Sequence, residues 1–162
     1  MDMTDDALQK AEQMLSEWAV LVTRPQENCL NIYLERQNFI AAVSALYRSS
    51  WGYLTAITGL DQPPGAESSA EQAGAIEVLY HFCRKASVLT LRVSLPYSDP
   101  VIDTICKLVP SATLYERELV ELFGVIITGT PDSRRLLLPD DWPEGVYPMR
   151  KSFTGVPNEL ER

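Results

Sequence analysis

The apolar residues of this chain change their period several times, and each change marks an element. Leu8, Ala11, Met14 with Leu15, and Trp18 recur at helical spacing, which predicts a first helix to about Trp18, capped by Thr4 or Asp5. Pro25 breaks the chain after it. Leu30, Ile32 and Leu34 then alternate along Cys29–Leu34, the period of a half-buried strand. Phe39, Ile40, Val43, Leu46 and Tyr47 return to helical spacing within Gln37–Ser49. Trp51–Leu60 is rich in β-branched and aromatic residues and reads as a second strand. The clearest alternation follows: Ile76, Val78, Tyr80 and Phe82, then Leu89, Leu91, Val93 and Leu95. Arg84-Lys85-Ala86 between the two runs predicts a hairpin, and Pro96 closes the second strand because it cannot donate to a ladder.

Other stretches lack a clean period. Asp61–Gly74 is dense in Pro, Gly and Ser and predicts an exposed loop, a tolerated insertion between paired strands. Asp99-Pro100 predicts the start of a short helix through Ile102, Ile105 and Cys106 to Leu108, ended by Pro110. Thr113 and Glu116 have capping-box spacing, opening a helix whose buried stripe is Tyr115, Leu119, Leu122 and Phe123. Arg117 and Glu121 project to its opposite side. Gly124 stands where a left-handed C-terminal cap belongs, and Val125-Ile126-Ile127 adds a brief strand. Beyond it Pro131, Pro139, Pro143 and Pro148 forbid a long helix or a central strand. Yet Leu136, Leu137, Leu138, Trp142, Val146, Tyr147 and Met149 make the segment too apolar for a solvated tail. The pattern therefore predicts an α/β (α+β) fold: a small, mostly antiparallel sheet covered by helices on one face. Residues 1–124 would form the compact domain, and residues 125–162 an extended arm packing on a partner.

Composition narrows the function. The chain has 162 residues, 46% hydrophobic and 22% charged, ordinary for one globular domain. Fourteen cations against 22 carboxylates give a net charge of −8, which argues against nucleic acid as a partner. No apolar run is long enough to span a bilayer, and the acidic start is unlike a signal peptide, so a cytoplasmic location is expected. Cys29, Cys83 and Cys106 are scattered and odd in number, and His81 is the sole histidine. A disulfide framework, the usual local zinc, iron–sulfur or nickel signatures, and a histidine-dependent triad are all missing.

The remaining candidates for chemistry each have a plainer reading. Arg134-Arg135 and Arg150-Lys151 suit carboxylate or phosphate recognition, but no glycine-rich strand-to-helix loop accompanies them. Inter-subunit ion pairing and simple solvation stay open beside anion binding. Asp140-Asp141 as a metal or acid–base pair competes with a turn carrying a local cap. Glu116, Glu118 and Glu121 are accounted for by capping and intrahelical pairing. His81 on a strand reads as a satisfied, half-buried side chain. No catalytic, cofactor-binding or metal residue is assigned.

Three ordered blocks carry a resemblance. Glu116-Arg117-Glu118-Leu119-Val120-Glu121-Leu122-Phe123-Gly124-Val125, Gly129-Thr130-Pro131-Asp132-Ser133-Arg134-Arg135-Leu136-Leu137 and Tyr147-Pro148-Met149-Arg150-Lys151-Ser152-Phe153 stand here in that order. They resemble the 30 kDa-type subunit of the complex I (NADH:quinone oxidoreductase) family, with departures at Glu121, Thr130 and Tyr147. Leu138 to Lys151 is closer to the branch in membrane-bound energy-converting [NiFe] hydrogenases. The resemblance implies a non-catalytic assembly subunit in the cytoplasmic arm of such a complex, peripheral to the membrane. Its partners would be the large subunit, of [NiFe] or quinone-site type, a small iron–sulfur subunit, and through them the membrane arm. Iron–sulfur clusters, and NiFe in the hydrogenase case, would sit in those neighbours, with no cofactor in this chain. The expected partner-binding residues are Arg117, Glu118, Arg134, Arg135, Trp142, Tyr147, Arg150 and Lys151. An NADH or other donor:quinone oxidoreductase of complex I type is the alternative, and a free-standing small-molecule-binding α/β protein is the alternative from another class.

Overall fold

The computed structural model describes residues 3–65 and 74–155, with the side chains of residues 3–5 left aside. The first helix already begins at Met3, so Thr4 and Asp5 lie within it instead of capping it, and residues 66–73 of the predicted 61–74 loop lie outside the described residues. Helix α1 (Met3–Leu15) leads into strands β1 (Ala19–Gln26) and β2 (Cys29–Leu34). A short 3₁₀ turn precedes α2 (Phe39–Arg48), and then come β3 (Tyr53–Gln62), β4 (Ala75–Arg84) and β5 (Ser87–Pro96). Strand β6 (Val101–Asp103), helix α3 (Ala112–Phe123) and strand β7 (Ile126–Thr128) complete the regular structure.

The five-stranded sheet has the order β1-β2-β5-β4-β3. Only β2 and β5 run parallel; the other three pairs are antiparallel. Its core-facing positions are the alternating residues read from the sequence. Leu30 and Ile32, Ile76, Val78 and Tyr80, and Leu89, Leu91, Val93 and Leu95 are all fully buried. The stripes Leu8, Ala11 and Leu15 of α1 and Phe39, Ala42 and Val43 of α2 close over them. Helix α3 covers the β3 end, where the Phe123 ring lies directly on Gly59, leaving no room for a Cβ. Tyr115 adds a hydrogen bond from its hydroxyl to the Thr55 carbonyl at 3.0 Å. The fold is the mixed α/β arrangement that the periodicity predicts.

The far face of the sheet is polar and internally paired. Glu77 takes a two-pronged contact from Arg92, at 2.8 and 2.7 Å, and a third bond from Gln62 at 2.7 Å. Arg92 also lies over the Tyr33 ring. His81 sits half-buried between the hydroxyls of Thr58 (3.2 Å) and Thr90 (3.0 Å), and burial, then Arg92, pushes its pKa down. The satisfied structural histidine expected from the sequence is what stands there.

Three further sequence expectations are corrected. Pro25 does not end the structure: it lies within β1, in the irregular register between Thr23 and Gln26, on an edge strand where a missing donor is tolerated. The helix predicted from Asp99 to Leu108 is instead strand β6, because Val101-Ile102-Asp103 pairs in parallel with Ile126-Ile127-Thr128. Only a turn at Ile105 remains of it, where Leu108 and Val109 both donate to the Ile105 carbonyl. The capping box also fails: the Thr113 hydroxyl bonds back to Pro110, and no side chain caps the start of α3. Glu116, fully buried, instead accepts from the Ile105 amide (2.8 Å), the Thr104 hydroxyl (2.7 Å) and the Cys106 thiol (3.2 Å). It ties the β6–α3 connection to the helix. Burial pushes the Cys106 thiol up, and the Tyr80 hydroxyl in the same interior is buried without a hydrogen-bond partner among the described residues.

Candidate partner-binding site

The expected contact residues gather around α3 and the belt that follows it. Gly124 ends α3 with φ +71°, and its amide reaches back to the Val120 carbonyl. A side chain is excluded there twice over, because the Tyr147 ring fills the space where a Cβ would be. The backbone turns through β7 and then returns along the exposed side of α3, on which Arg117 and Glu121 stand one turn apart.

These two side chains hold the belt by its backbone. Arg117 donates through Nε to the Arg134 carbonyl at 2.7 Å and through its terminal nitrogens to the Arg135 carbonyl and the Asp132 carboxylate. Glu121 accepts from the amides of Leu136, Leu137 (2.7 Å) and Leu138. An irregular segment needs partners for its main-chain groups, and here a guanidinium takes the carbonyls while a carboxylate takes the amides. Asp132 closes the turn by accepting from the Arg134 amide and guanidinium, which holds its carboxyl well below the usual carboxylate range.

Further along, Arg135 donates to the carbonyls of Pro139 and Trp142, both at 2.8 Å. The Trp142 indole donates to the Val146 carbonyl, and its ring lies 6.2 Å from that of Phe153. The end of the belt is clasped to the domain. Arg150 donates to the Phe123 carbonyl at the C-terminus of α3 and lies over the rings of Tyr97 and Tyr147. The Met149 amide bonds the Leu122 carbonyl. Asp61, buried at the end of β3, accepts from the Lys151 amide at 2.7 Å and from the Tyr97 hydroxyl. Burial and then the Asp61 carboxylate push the Tyr97 hydroxyl up to about 12.

The eight expected residues thus fall into two groups. Arg117, Arg135, Trp142, Tyr147 and Arg150 are engaged within the protein itself. Arg134 pairs with Asp132 but remains 84% exposed. Lys151 is held by its amide with its side chain in solvent, and Glu118 makes no hydrogen bond or ion pair among the described residues. Glu121, Asp132, Asp61 and Tyr97 belong to the same construction and were not assigned from the sequence. For Glu121 the signal was present, since it shares a helix face with Arg117. For Asp61 and Tyr97 there was none, because their link to Lys151 spans the whole domain. Among the described residues no three His, Cys, Asp or Glu side chains come together in a way that could hold a metal ion.

The described residues define a mixed α/β domain that wears an ordered, side-chain-anchored belt. The protein belongs to the family of the respiratory-chain NADH dehydrogenase 30 kDa subunit, whose pattern matches residues 32–159. It is similar to the membrane-bound hydrogenase subunit beta of Pyrococcus furiosus, 43% identical over 72 residues, covering 44% of this chain and 42% of that one. It is also similar to an NADH-quinone oxidoreductase subunit of Ruegeria pomeroyi, 34% identical over 129 residues, 76% of this chain and 60% of the other. The match thus spans less than two thirds of the length of these relatives. A structure of the membrane-bound sulfane sulfur reductase, an archaeal respiratory membrane complex, shares the fold. That likeness has a TM-score of 0.67 at 21% identity and covers 91% of this chain and 85% of that one.

Proposed function

We propose that this protein is a non-catalytic assembly subunit of a membrane-associated redox complex, and that its belt clasps the large subunit. The observation carrying this reading is the belt itself. Its inward groups are spent on α3 and β3, so it is preformed, while Arg134 (84% side-chain exposure), Leu137 (55%) and Met149 (56%) face outward. A preformed binding segment does not have to order itself on association, which lowers the entropic cost of binding. Arg134, Lys151 and Glu118 meet the partner directly in this account. Arg117, Arg135, Trp142, Tyr147 and Arg150 shape the surface that presents them. The electron carriers, iron–sulfur clusters among them, belong to neighbouring subunits. In this proposal attachment to the membrane runs through the complex, on its cytoplasmic side; among the described residues no helix is long and apolar enough to cross a membrane.

The large subunit in this proposal is of the [NiFe] hydrogenase type, making the complex an ion-translocating hydrogenase. The Pyrococcus furiosus relative, 43% identical over its matched stretch, supports that choice. The Ruegeria pomeroyi relative, matched over 76% of this chain, supports a quinone-reducing complex as the second reading. Co-purification separates them. Tagged full-length protein drawn from detergent-solubilised membranes should bring down a large subunit bearing two Cys-x-x-Cys pairs and nickel. A large subunit without those pairs establishes the second reading, and recovery of the tagged protein alone overturns both.

A further inference from the structure

Between α3 and the belt lies an open cleft of about 570 Å³. Its walls carry Val120 and the half-exposed Ile126, with Trp142 and Val146 on the opposite side. Its charges cancel: Arg117, Arg134 and Arg135 face Glu121, Asp132 and Glu144. Five of these six already hold partners within the protein. The cleft therefore has little unspent charge to offer a ligand.

What it does offer is backbone. Among the described residues strand β7 forms one edge of the two-stranded sheet and pairs with β6 alone. The bonds from the Ile126 amide to Pro100 and from Thr104 to the Thr128 carbonyl set the parallel pattern, in which residues 126 and 128 turn their polar groups to β6. By the same pattern Ile127 turns its N–H and C=O away from β6; its side chain packs in the core, and the residue, 7% exposed, contributes to the wall of the cleft. No backbone or side-chain group among the described residues meets that N–H or C=O. A strand edge with unpaired groups is a template for another chain, and an apolar cleft beside it supplies pockets for alternate side chains.

We propose that the cleft receives an extended, uncharged, apolar segment of the large subunit, which pairs with β7 at Ile127 and adds a strand to the β6–β7 sheet. The neutral charge balance of the walls selects against an acidic or basic segment, whose charge would be desolvated without a counter-ion. The inference rests on the reading of this protein as an assembly subunit and deepens it by naming the kind of segment bound and the place it binds.

Amide hydrogen exchange tests it on the full-length protein, alone and within the complex drawn from solubilised membranes. The Ile127 amide should exchange at least ten-fold more slowly in the complex than in the lone chain. Equal rates in the two samples overturn the proposal, whether both are fast, with the cleft unoccupied, or both slow, with the edge protected internally. Protection that appears in the lone chain as its concentration rises would make a second copy the occupant, which also overturns it. The Ile126→Asp variant supplies a second readout: at least ten-fold less large subunit recovered, with the lone chain's Tm unchanged and Ile126→Leu recovering as wild type. A complex that forms normally with Ile127 unprotected defeats this inference and leaves the assembly reading standing. Recovery of no large subunit by the wild-type protein defeats both.

Discussion

The five-stranded sheet domain and the belt from residue 130 to 153 are both ordered, but they are held by different means. In the domain, order comes from apolar burial: its strands alternate between a sealed core and a second face, and α1, α2 and α3 cover the core side. In the belt, order comes from polar side chains that satisfy an irregular backbone. Arg117 and Glu121 between them hold five main-chain groups, and Asp61 and Arg150 hold the far end. Burial is non-directional and grows with area. Hydrogen bonds each contribute about 0.5–1.5 kcal/mol net but cost more when one partner is removed. The domain should therefore fail globally, and the belt locally.

The sharpest way to test that contrast is to damage each region separately. Leu91→Ala, in a central strand with no exposure, should lower global stability by about 2–5 kcal/mol in urea titration. Arg117→Ala should leave the global midpoint nearly unchanged. It should open the belt by about 1–3 kcal/mol, seen as faster exchange at Leu136, Leu137 and Leu138 and tryptic cleavage at Arg134-Arg135. Lysine at position 117 should not restore protection, because an ammonium lacks the planar fork that spans both carbonyls. If Arg117→Ala lowered the global midpoint as much as Leu91→Ala, belt and domain would be one cooperative unit and the contrast would break.

Smaller effects sharpen the same picture. Asp61→Asn should lower the Tyr97 pKa from about 12 towards 10 without reaching it, since burial is the larger cause and persists; tyrosine-resolved NMR titration reads this. His81 acts on the domain alone. Its folded pKa lies below the ordinary histidine value of 6.5, so the unfolded state binds the proton more readily. Its contribution is therefore intact above about pH 6.5. It is lost as the pH falls from there towards the folded value. His81→Asn should flatten the dependence of Tm on pH in that window and leave belt exchange unaltered. Arg134→Ala, at an 84% exposed side chain, should change the lone protein's stability by less than about 0.5 kcal/mol.

The same contrast explains what the sequence made legible. Burial writes a period into the chain, so Leu89-Leu91-Val93-Leu95 and Phe39-Ile40-Val43-Leu46-Tyr47 announced a strand and a helix. Where an element is only half-buried or relies on a distant partner, the period is lost. β1 has few covered residues, and β6 exists only because β7 lies beside it. Polar anchoring leaves no period at all. The belt's prolines and leucines point to an extended arm packing on a partner, and Arg134-Arg135 and Arg150-Lys151 stand out as its charges, but nothing in them tells that the belt lies along its own domain. That Glu121 would receive three successive amides, or that Asp61 would meet Lys151 across 90 positions of sequence, depends on the folded domain and on nothing local. Glu116 shows the converse error, since its spacing from Thr113 fits a cap but its carboxylate is used on the β6–α3 connection.

An assembly subunit whose belt holds a large subunit must lose that partner when the belt's exposed cations are removed. Large-subunit recovery is therefore compared for tagged wild type and for Arg134→Ala combined with Lys151→Ala, both drawn from solubilised membranes. Wild type should bring the large subunit down at one-to-one stoichiometry. The double variant should retain at most a tenth as much, while its Tm in isolation stays within about 2 °C of wild type, as expected for exposed side chains. Equal recovery for both proteins, or isolation of the wild type as a partnerless monomer, would contradict it.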